Sequence, residues 1–153
     1  MTATDRPRAR ASIIILVRPE DITTALVEPD RLTQFWLASS SAALAVGVEV
    51  HWKFMVPGAE VETTATRLIP GREISWKWSD GITVDVDLEV VDGGTAVTVV
   101  ASGFEGSESE IVEHALDATE GFAFVLAALK TMLESGKPST IVRDKARLIE
   151  LRG

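Results

Sequence analysis

The sequence contains no cysteine and only two histidines among its 153 residues. The absence of cysteine excludes disulfides, thiolate metal sites and cysteine nucleophiles. Basic residues are also in the minority, with 15 lysines and arginines against 23 aspartates and glutamates, so the net charge is −8. This charge argues against nucleic acid as a partner, because phosphate binding requires a basic surface.

Long apolar runs are missing as well. The only continuous apolar stretch near the N-terminus is 13–17, which is too short for a signal-peptide core or a membrane span. We therefore expect a cytoplasmic protein without membrane insertion. Phosphate-binding glycine loops, zinc-protease signatures and the Gly-x-Ser-x-Gly elbow are absent too, so the sequence predicts no cofactor, no metal site and no catalytic residue.

Composition and length predict one folded domain. Apolar residues make up 46% of the chain and charged residues 25%, as in ordinary globular proteins. We expect a flexible, arginine-rich leader at 1–11, the domain at 12–136 and an amphipathic, charged tail at 137–153. Ser139 could cap a short helix in that tail.

Two periodicities divide the domain. Residues 13–17 predict a first strand. Pro19 begins a short helix that is interrupted at Glu28, and Asp30 can cap a second short helix that carries Leu32, Phe35 and Trp36. Alternation of apolar and polar residues then predicts strands at 46–54, 61–69, 74–78, 84–90 and 97–101, separated by glycine-containing turns. Consecutive hairpins of this kind form an antiparallel meander.

A long helix follows the meander. Ser107 and Glu110 have the spacing of a capping box, an apolar stripe recurs from Ile111 to Leu133, and Gly136 predicts the end. A sheet with one apolar face must cover that face, and this helix is the only long element available to do so. The sequence therefore predicts an α+β fold in which a twisted antiparallel sheet wraps around the helix.

The order of elements resembles the SRPBCC (START/Bet v 1-like) superfamily, and within it the AHSA1-like branch related to the activator of Hsp90 ATPase. The segments that carry the resemblance are PEDI at 19–22, ALVEPDRL at 25–32, FW at 35–36, IPGREI at 69–74, GGTAVTV at 93–99, SGF at 102–104 and GFAFVLAALKTMLE at 121–134. The resemblance implies the helix-grip (Bet v 1-like) fold and a hydrophobic cavity between sheet and helix. Relatives use this cavity to bind lipids, hormones or polyketides, and some are cyclases or hydrolases.

The predicted function is binding of a small hydrophobic or amphipathic ligand without covalent chemistry. Two alternatives remain open: a cyclase- or hydrolase-type enzyme, and a protein-interaction module related to chaperone activators. The residues expected to line the cavity are Trp36, Trp52, Phe54, Trp76, Trp78, Phe104, Ala118, Phe122 and Leu126. Among these, Trp52, Trp76 and Phe122 are the sharpest candidates, because tryptophan and phenylalanine serve well in apolar walls.

Polar candidates are few. An enzyme would use groups such as His114, Glu60 or Arg67, whereas His51 is expected on the wet face of its strand. The acidic row Asp85, Asp87 and Glu89 could supply oxygen ligands to calcium or magnesium, but alternation favours a solvated strand face.

Two residues of the long helix break its pattern. Phe124 falls on the acidic side, which could mark the docking site of the 139–153 tail or a contact in a homodimer. Gly121 lies in mid-helix, where glycine is unfavourable. Either close approach of the helix to the sheet or room for a ligand would explain it.

Overall fold

Seven antiparallel strands form one sheet in the computed structural model, which describes residues 6–153. The strands are β1 (Ala9–Ile15), β2 (Leu37–Ser40), β3 (Glu49–Phe54), β4 (Glu60–Ile69), β5 (Glu73–Trp78), β6 (Thr83–Val91) and β7 (Gly94–Ser102). Their order across the sheet is β1-β7-β6-β5-β4-β3-β2. Strands β2 to β7 therefore pair with the strands next to them in sequence, and β1 pairs with β7.

Four helices complete the fold: α1 (Pro19–Val27), α2 (Pro29–Leu32), α3 (Glu108–Ser135) and α4 (Ile141–Arg152). The apolar face of the curved sheet and the apolar stripe of α3 form a single core, with α1 contacting α3 and β6, and α2 contacting β2. This arrangement confirms the predicted helix-grip fold. Among residues 6–153, no helix is both long enough and apolar enough to cross a membrane.

Both ends of α3 are those predicted. The Ser107 hydroxyl accepts a hydrogen bond from the Glu110 backbone N–H, and the Glu110 carboxylate accepts one from the Ser107 backbone N–H. These bonds to Ser107 hold the pKa of the Glu110 carboxyl below its usual range. The helix ends where Gly136 adopts φ 74°, a left-handed conformation that glycine tolerates without strain.

Side chains of α3 protect the free edge of β1. The Thr119 hydroxyl accepts from the Arg10 backbone N–H, the Lys130 ammonium donates to the Ile14 carbonyl at 2.8 Å, and the Glu134 carboxylate accepts from the Leu16 N–H at 2.9 Å. An edge strand left with unsatisfied backbone groups invites pairing with other chains. The helix thereby both fills the core and caps the sheet edge.

Stability is expected to depend on the ionisation of Glu134. The hydrogen bond from Lys130, followed by that from the Leu16 backbone, lowers the pKa of this carboxyl in the folded protein. A lowered folded-state pKa gives stability that is complete above the ordinary pKa of an unfolded glutamate, about 4.3, and is lost as the pH falls through the folded value.

We expect Glu134→Gln to lower the free energy of unfolding at pH 7 by about 1 kcal/mol or less. The difference from the wild type should shrink at pH 3.5. Urea unfolding at both pH values measures it, and an equal difference at both would contradict the assignment.

The first strand begins earlier than the sequence suggested. Residues Ala9–Ile15 pair with β7, from Ala9 opposite Ala101 to Ile15 opposite Thr95, whereas a flexible leader was predicted through residue 11. Buried and exposed side chains already alternate here, since Ala9 is buried and Arg10 is exposed. The arginines of this segment made it look like a polar leader in the sequence. The leader prediction is therefore corrected at 9–11, and its residues 1–5 lie outside the described part of the chain.

The third strand is shorter than predicted. Val46 and Val48 were expected on the core face, but their side chains are 57% and 49% exposed, and the strand begins only at Glu49. Gly47 between them has φ 79°, which turns the chain and ends the alternation. The second helix ends at Leu32, before the predicted Phe35 and Trp36. The short strand β2 (Leu37–Ser40) was not predicted, because the sequence LASS has no apolar alternation.

Candidate functional site

A groove opens between α3, α4 and the ends of strands β3 and β5. Its volume is about 270 Å³, and we call it the α3–α4 groove. The residues that line it are Trp36, Phe54, Met55, Val56, Trp78, Ala118, Gly121, Phe122, Phe124, Val125, Val142, Lys145, Ala146 and Ile149. Lys145 is the one charged residue in this set, so the walls are apolar almost throughout.

Aromatic rings pack the floor of the groove. The Trp36 ring lies 5.2 Å from Trp52, 6.0 Å from Trp76 and 6.1 Å from Phe122, measured between centroids. Trp78 stacks on Phe122 at 6.2 Å with an interplanar angle of 8°. Edge-to-face and offset contacts of this kind are the favoured geometries of aromatic pairs, and they hold the floor in one arrangement.

Three indole N–H groups in this cluster have no hydrogen-bond partner within the described residues: those of Trp52, Trp76 and Trp78. Trp52 makes edge-to-face contacts with Trp36, at 71°, and with Trp76, at 65°. In such contacts the positive edge of one ring meets the negative face of its neighbour.

Helix α4 forms the outer wall. The Lys145 ammonium lies 2.5 Å from the Glu120 carboxylate of α3 and 5.7 Å from the centroid of the Phe124 ring. Phe124 therefore marks where the 139–153 tail docks, the first of the two explanations the sequence left open. Ser139 is buried and accepts a hydrogen bond from the Ile141 N–H, next to the start of the helix.

Five of the nine residues expected to line a cavity line this groove: Trp36, Phe54, Trp78, Ala118 and Phe122. The other four, Trp52, Trp76, Phe104 and Leu126, are at most 5% exposed and belong to the packed core. Trp52 and Trp76 lie in the middle of their strands, where Trp36 packs against both indoles. Of the three sharpest candidates, only Phe122 reaches the groove.

Sequence reasoning missed the contribution of α4 and of the β3–β4 loop. Val142, Lys145, Ala146 and Ile149 recur at spacings of three and four, which is the signal of one helix face. The tail was recognised as amphipathic, but the surface on which its apolar face packs was not evident. Met55 and Val56 lie in a turn with no periodic signal.

Gly121 lies against open space. A Cβ atom built on this residue meets no other atom within 4 Å, apart from its own helix, so close approach of the helix to the sheet does not explain it. The residue instead lines the groove. The second explanation from the sequence, room for a ligand, agrees with this geometry.

A second pocket adjoins the first. It has a volume of about 380 Å³, shares Phe54 and Trp78 with the α3–α4 groove, and is bordered by Glu60 and Asp80. Phe54 and Trp78 meet edge to face, with 5.8 Å between their centroids and an angle of 88°. This aromatic pair is thus a common wall between an apolar groove and a more polar opening.

The polar candidates do not converge on the groove. His114 is exposed on α3, Arg67 forms an ion pair with Glu73 on the outside of the sheet, and Glu60 borders the second pocket. His51 lies on the outer face as expected, with its Nδ1 atom 2.5 Å from the Glu62 carboxylate and its Nε2 atom 3.6 Å from Glu60.

The acidic row on β6 follows the solvated strand face. The Asp85 carboxylate accepts a hydrogen bond from the Ser75 hydroxyl at 2.6 Å, and Asp87 and Glu89 are exposed. Within residues 6–153, no three histidine or carboxylate side chains are grouped as a metal ion would require.

Known structures share this architecture. A dimeric Aha1 from Colwellia psychrerythraea, solved in solution, is 27% identical with a TM-score of 0.74, over 85% of this chain and 98% of that one. The protein SSP2350 from Staphylococcus saprophyticus is 24% identical with a TM-score of 0.74, over 86% and 94% of the two chains. An AHSA1-like protein from Aeromonas hydrophila is 22% identical with a TM-score of 0.65, over 83% and 93%. No curated protein sequence matches the chain.

The family comparison agrees with the fold. The family model described as activator of Hsp90 ATPase homolog 1-like protein matches residues 17–134, which is more than half of the chain. The match ends one residue before the last residue of α3, so α4 lies outside it. The chain belongs to the activator of Hsp90 ATPase homolog 1-like family.

Proposed function

We propose that the protein binds a small apolar or amphipathic molecule in the α3–α4 groove and performs no covalent chemistry on it. The observation that carries this proposal is the lining of the groove, in which every residue but Lys145 is apolar or glycine. Ligand pockets are typically apolar concavities of about 300–1,000 Å³ with few polar groups. The groove, at about 270 Å³, lies just below this range, which favours a small ligand.

The enzymatic alternative has less support. Two titratable side chains that converge on one reacting centre would favour acid–base catalysis. Lys145 is the single titratable group among the residues that line the groove, and its ammonium is paired with Glu120.

Self-association is a second proposal for the outer surface. The Colwellia relative is a dimer in solution, and this chain exposes apolar side chains away from the groove, among them Ile14, Leu16 and Leu116. Light scattering on the ligand-free protein distinguishes a monomer from a homodimer, and ligand titrations are then referred to the correct species.

Filling the groove from Gly121 tests the ligand proposal. We expect 1-octanol to bind the wild type and to change the fluorescence of Trp36 and Trp78, which line the groove. The variant Gly121→Leu should lose this binding at least tenfold, because its side chain enters the empty space beside Gly121. Isothermal titration calorimetry and tryptophan fluorescence measure both. Native mass spectrometry of protein from its own host would show a retained natural ligand.

Two controls accompany this variant. Ala123→Leu places the same side chain at an exposed position of α3 that does not line the groove, and it should leave octanol binding unchanged. Gly121→Ala should raise the free energy of unfolding by about 1 kcal/mol, since alanine is the better helix former and its Cβ meets no atom. The proposal is wrong if the wild type and Gly121→Leu bind octanol equally, or if the wild type does not bind octanol.

A further inference from the structure

The single charge of the α3–α4 groove lies at its mouth. The side chain of Lys145 is 29% exposed, and it reaches across from α4 to the Glu120 carboxylate and the Phe124 ring. A lysine in this position packs its methylene groups along the apolar wall and holds its ammonium at the water boundary. A molecule that fills the groove would therefore end beside a cation.

Helix α4 differs in charge from the protein as a whole. The whole chain has a net charge of −8, yet α4 carries four basic residues and only two acidic ones. The basic residues are Arg143, Lys145, Arg147 and Arg152. Helix α4 lies outside the family match at 17–134, and Lys145 is the one of these four residues that lines the groove. A negatively charged group would find its favourable approach to the groove on this side.

Glu120 holds the place that such a group would take. Its side chain is 56% exposed, and ion pairs at that exposure contribute little to stability, because water and salt screen them. Replacing the Glu120 carboxylate with a ligand carboxylate at Lys145 therefore changes the free energy little. Burial of the ligand's apolar part would then supply the driving force for the exchange.

From these contacts we propose that the ligand is an amphipathic anion, whose carboxylate displaces Glu120 from Lys145 while its apolar part fills the α3–α4 groove. This inference rests on the proposed function. A volume of about 270 Å³ holds about nine water-sized groups at about 30 Å³ each, which matches a medium-chain carboxylate. Octanoate is the probe of this class, and 1-octanol is its uncharged counterpart.

The test compares the two probes by titration calorimetry at low ionic strength. We expect the wild type to bind octanoate about threefold more tightly than 1-octanol, within the range that an exposed ion pair contributes, with the preference decreasing as salt is added. Lys145→Met keeps the apolar stem and removes the charge. It should weaken octanoate binding about threefold and leave octanol binding within twofold, which also shows that α4 is still in place.

Two further variants sharpen the comparison. Arg72→Met removes one positive charge from the exposed turn before β5, at the opposite end of that strand from Trp78, and should change the binding of neither probe. Glu120→Gln removes the competing carboxylate and should strengthen octanoate binding severalfold. Equal binding of both probes by the wild type, or an octanoate preference that survives Lys145→Met, would overturn this inference and leave the groove as an apolar site. If neither probe binds, the proposed function itself is wrong.

Discussion

Replacing Trp52 with alanine is expected to lower the free energy of unfolding by about 3–5 kcal/mol, the range for deleting a large buried aromatic side chain. The Trp52 side chain is 0% exposed, and its ring centroid lies within 5.4 Å of the Trp36 and Trp76 centroids. Trp78 is the next neighbour at 6.4 Å. Guanidinium unfolding followed by far-ultraviolet circular dichroism measures the loss without relying on tryptophan emission.

Two controls separate packing from other causes. Trp52→Phe should cost clearly less, because the indole N–H has no hydrogen-bond partner and only volume is lost. Val48→Ala should change stability by no more than about 0.5 kcal/mol, since Val48 is 49% exposed. Sequence alternation places Val48 and Trp52 on one face, so similar losses from both variants would contradict the structure.

Periodicity predicted the fold but not which apolar side chains face empty space. Trp52 and Phe54 have the same parity on β3, and both were expected at the cavity wall. Trp52 lies in mid-strand, where neighbouring rings pack against it, whereas Phe54 ends the strand and borders the groove. A period-2 pattern tells which face of a sheet a residue occupies, and it carries no information on what lies opposite.

The part of the site that depends on long-range docking could not be predicted. Lys145 reads in the sequence as one charge in an amphipathic tail, and its role at the groove follows only from the packing of α4 against α3. Gly121, in contrast, gives a signal in the sequence itself, because glycine is unfavourable in the middle of a helix. The sequence left two explanations for it, and only the absence of atoms around its Cβ position favours one.

Gly94 is the position where adding a single methyl group should do most harm. A Cβ atom there would lie 2.5 Å from the Ile15 carbonyl oxygen and 3.0 Å from the Leu16 Cα, both atoms of the neighbouring backbone. Backbone atoms cannot swing away as a flexible side chain does, so β1 must shift as a unit. We expect Gly94→Ala to lower the free energy of unfolding by about 1–3 kcal/mol, the range for overpacking. Urea unfolding measures the loss.

The adjacent glycine separates steric contact from backbone strain. Gly93 has φ 81°, and its Cβ position is open, so Gly93→Ala should lose about 1–2 kcal/mol through its left-handed conformation alone. Hydrogen exchange then distinguishes the two variants. Gly94→Ala should accelerate exchange at the Leu16 amide, because moving the end of β1 breaks its 2.9 Å bond to Glu134, whereas Gly93→Ala should leave that amide protected. If both variants or neither exposed this amide, the close contact between β7 and β1 would not be the cause, since only Gly94 faces the β1 backbone.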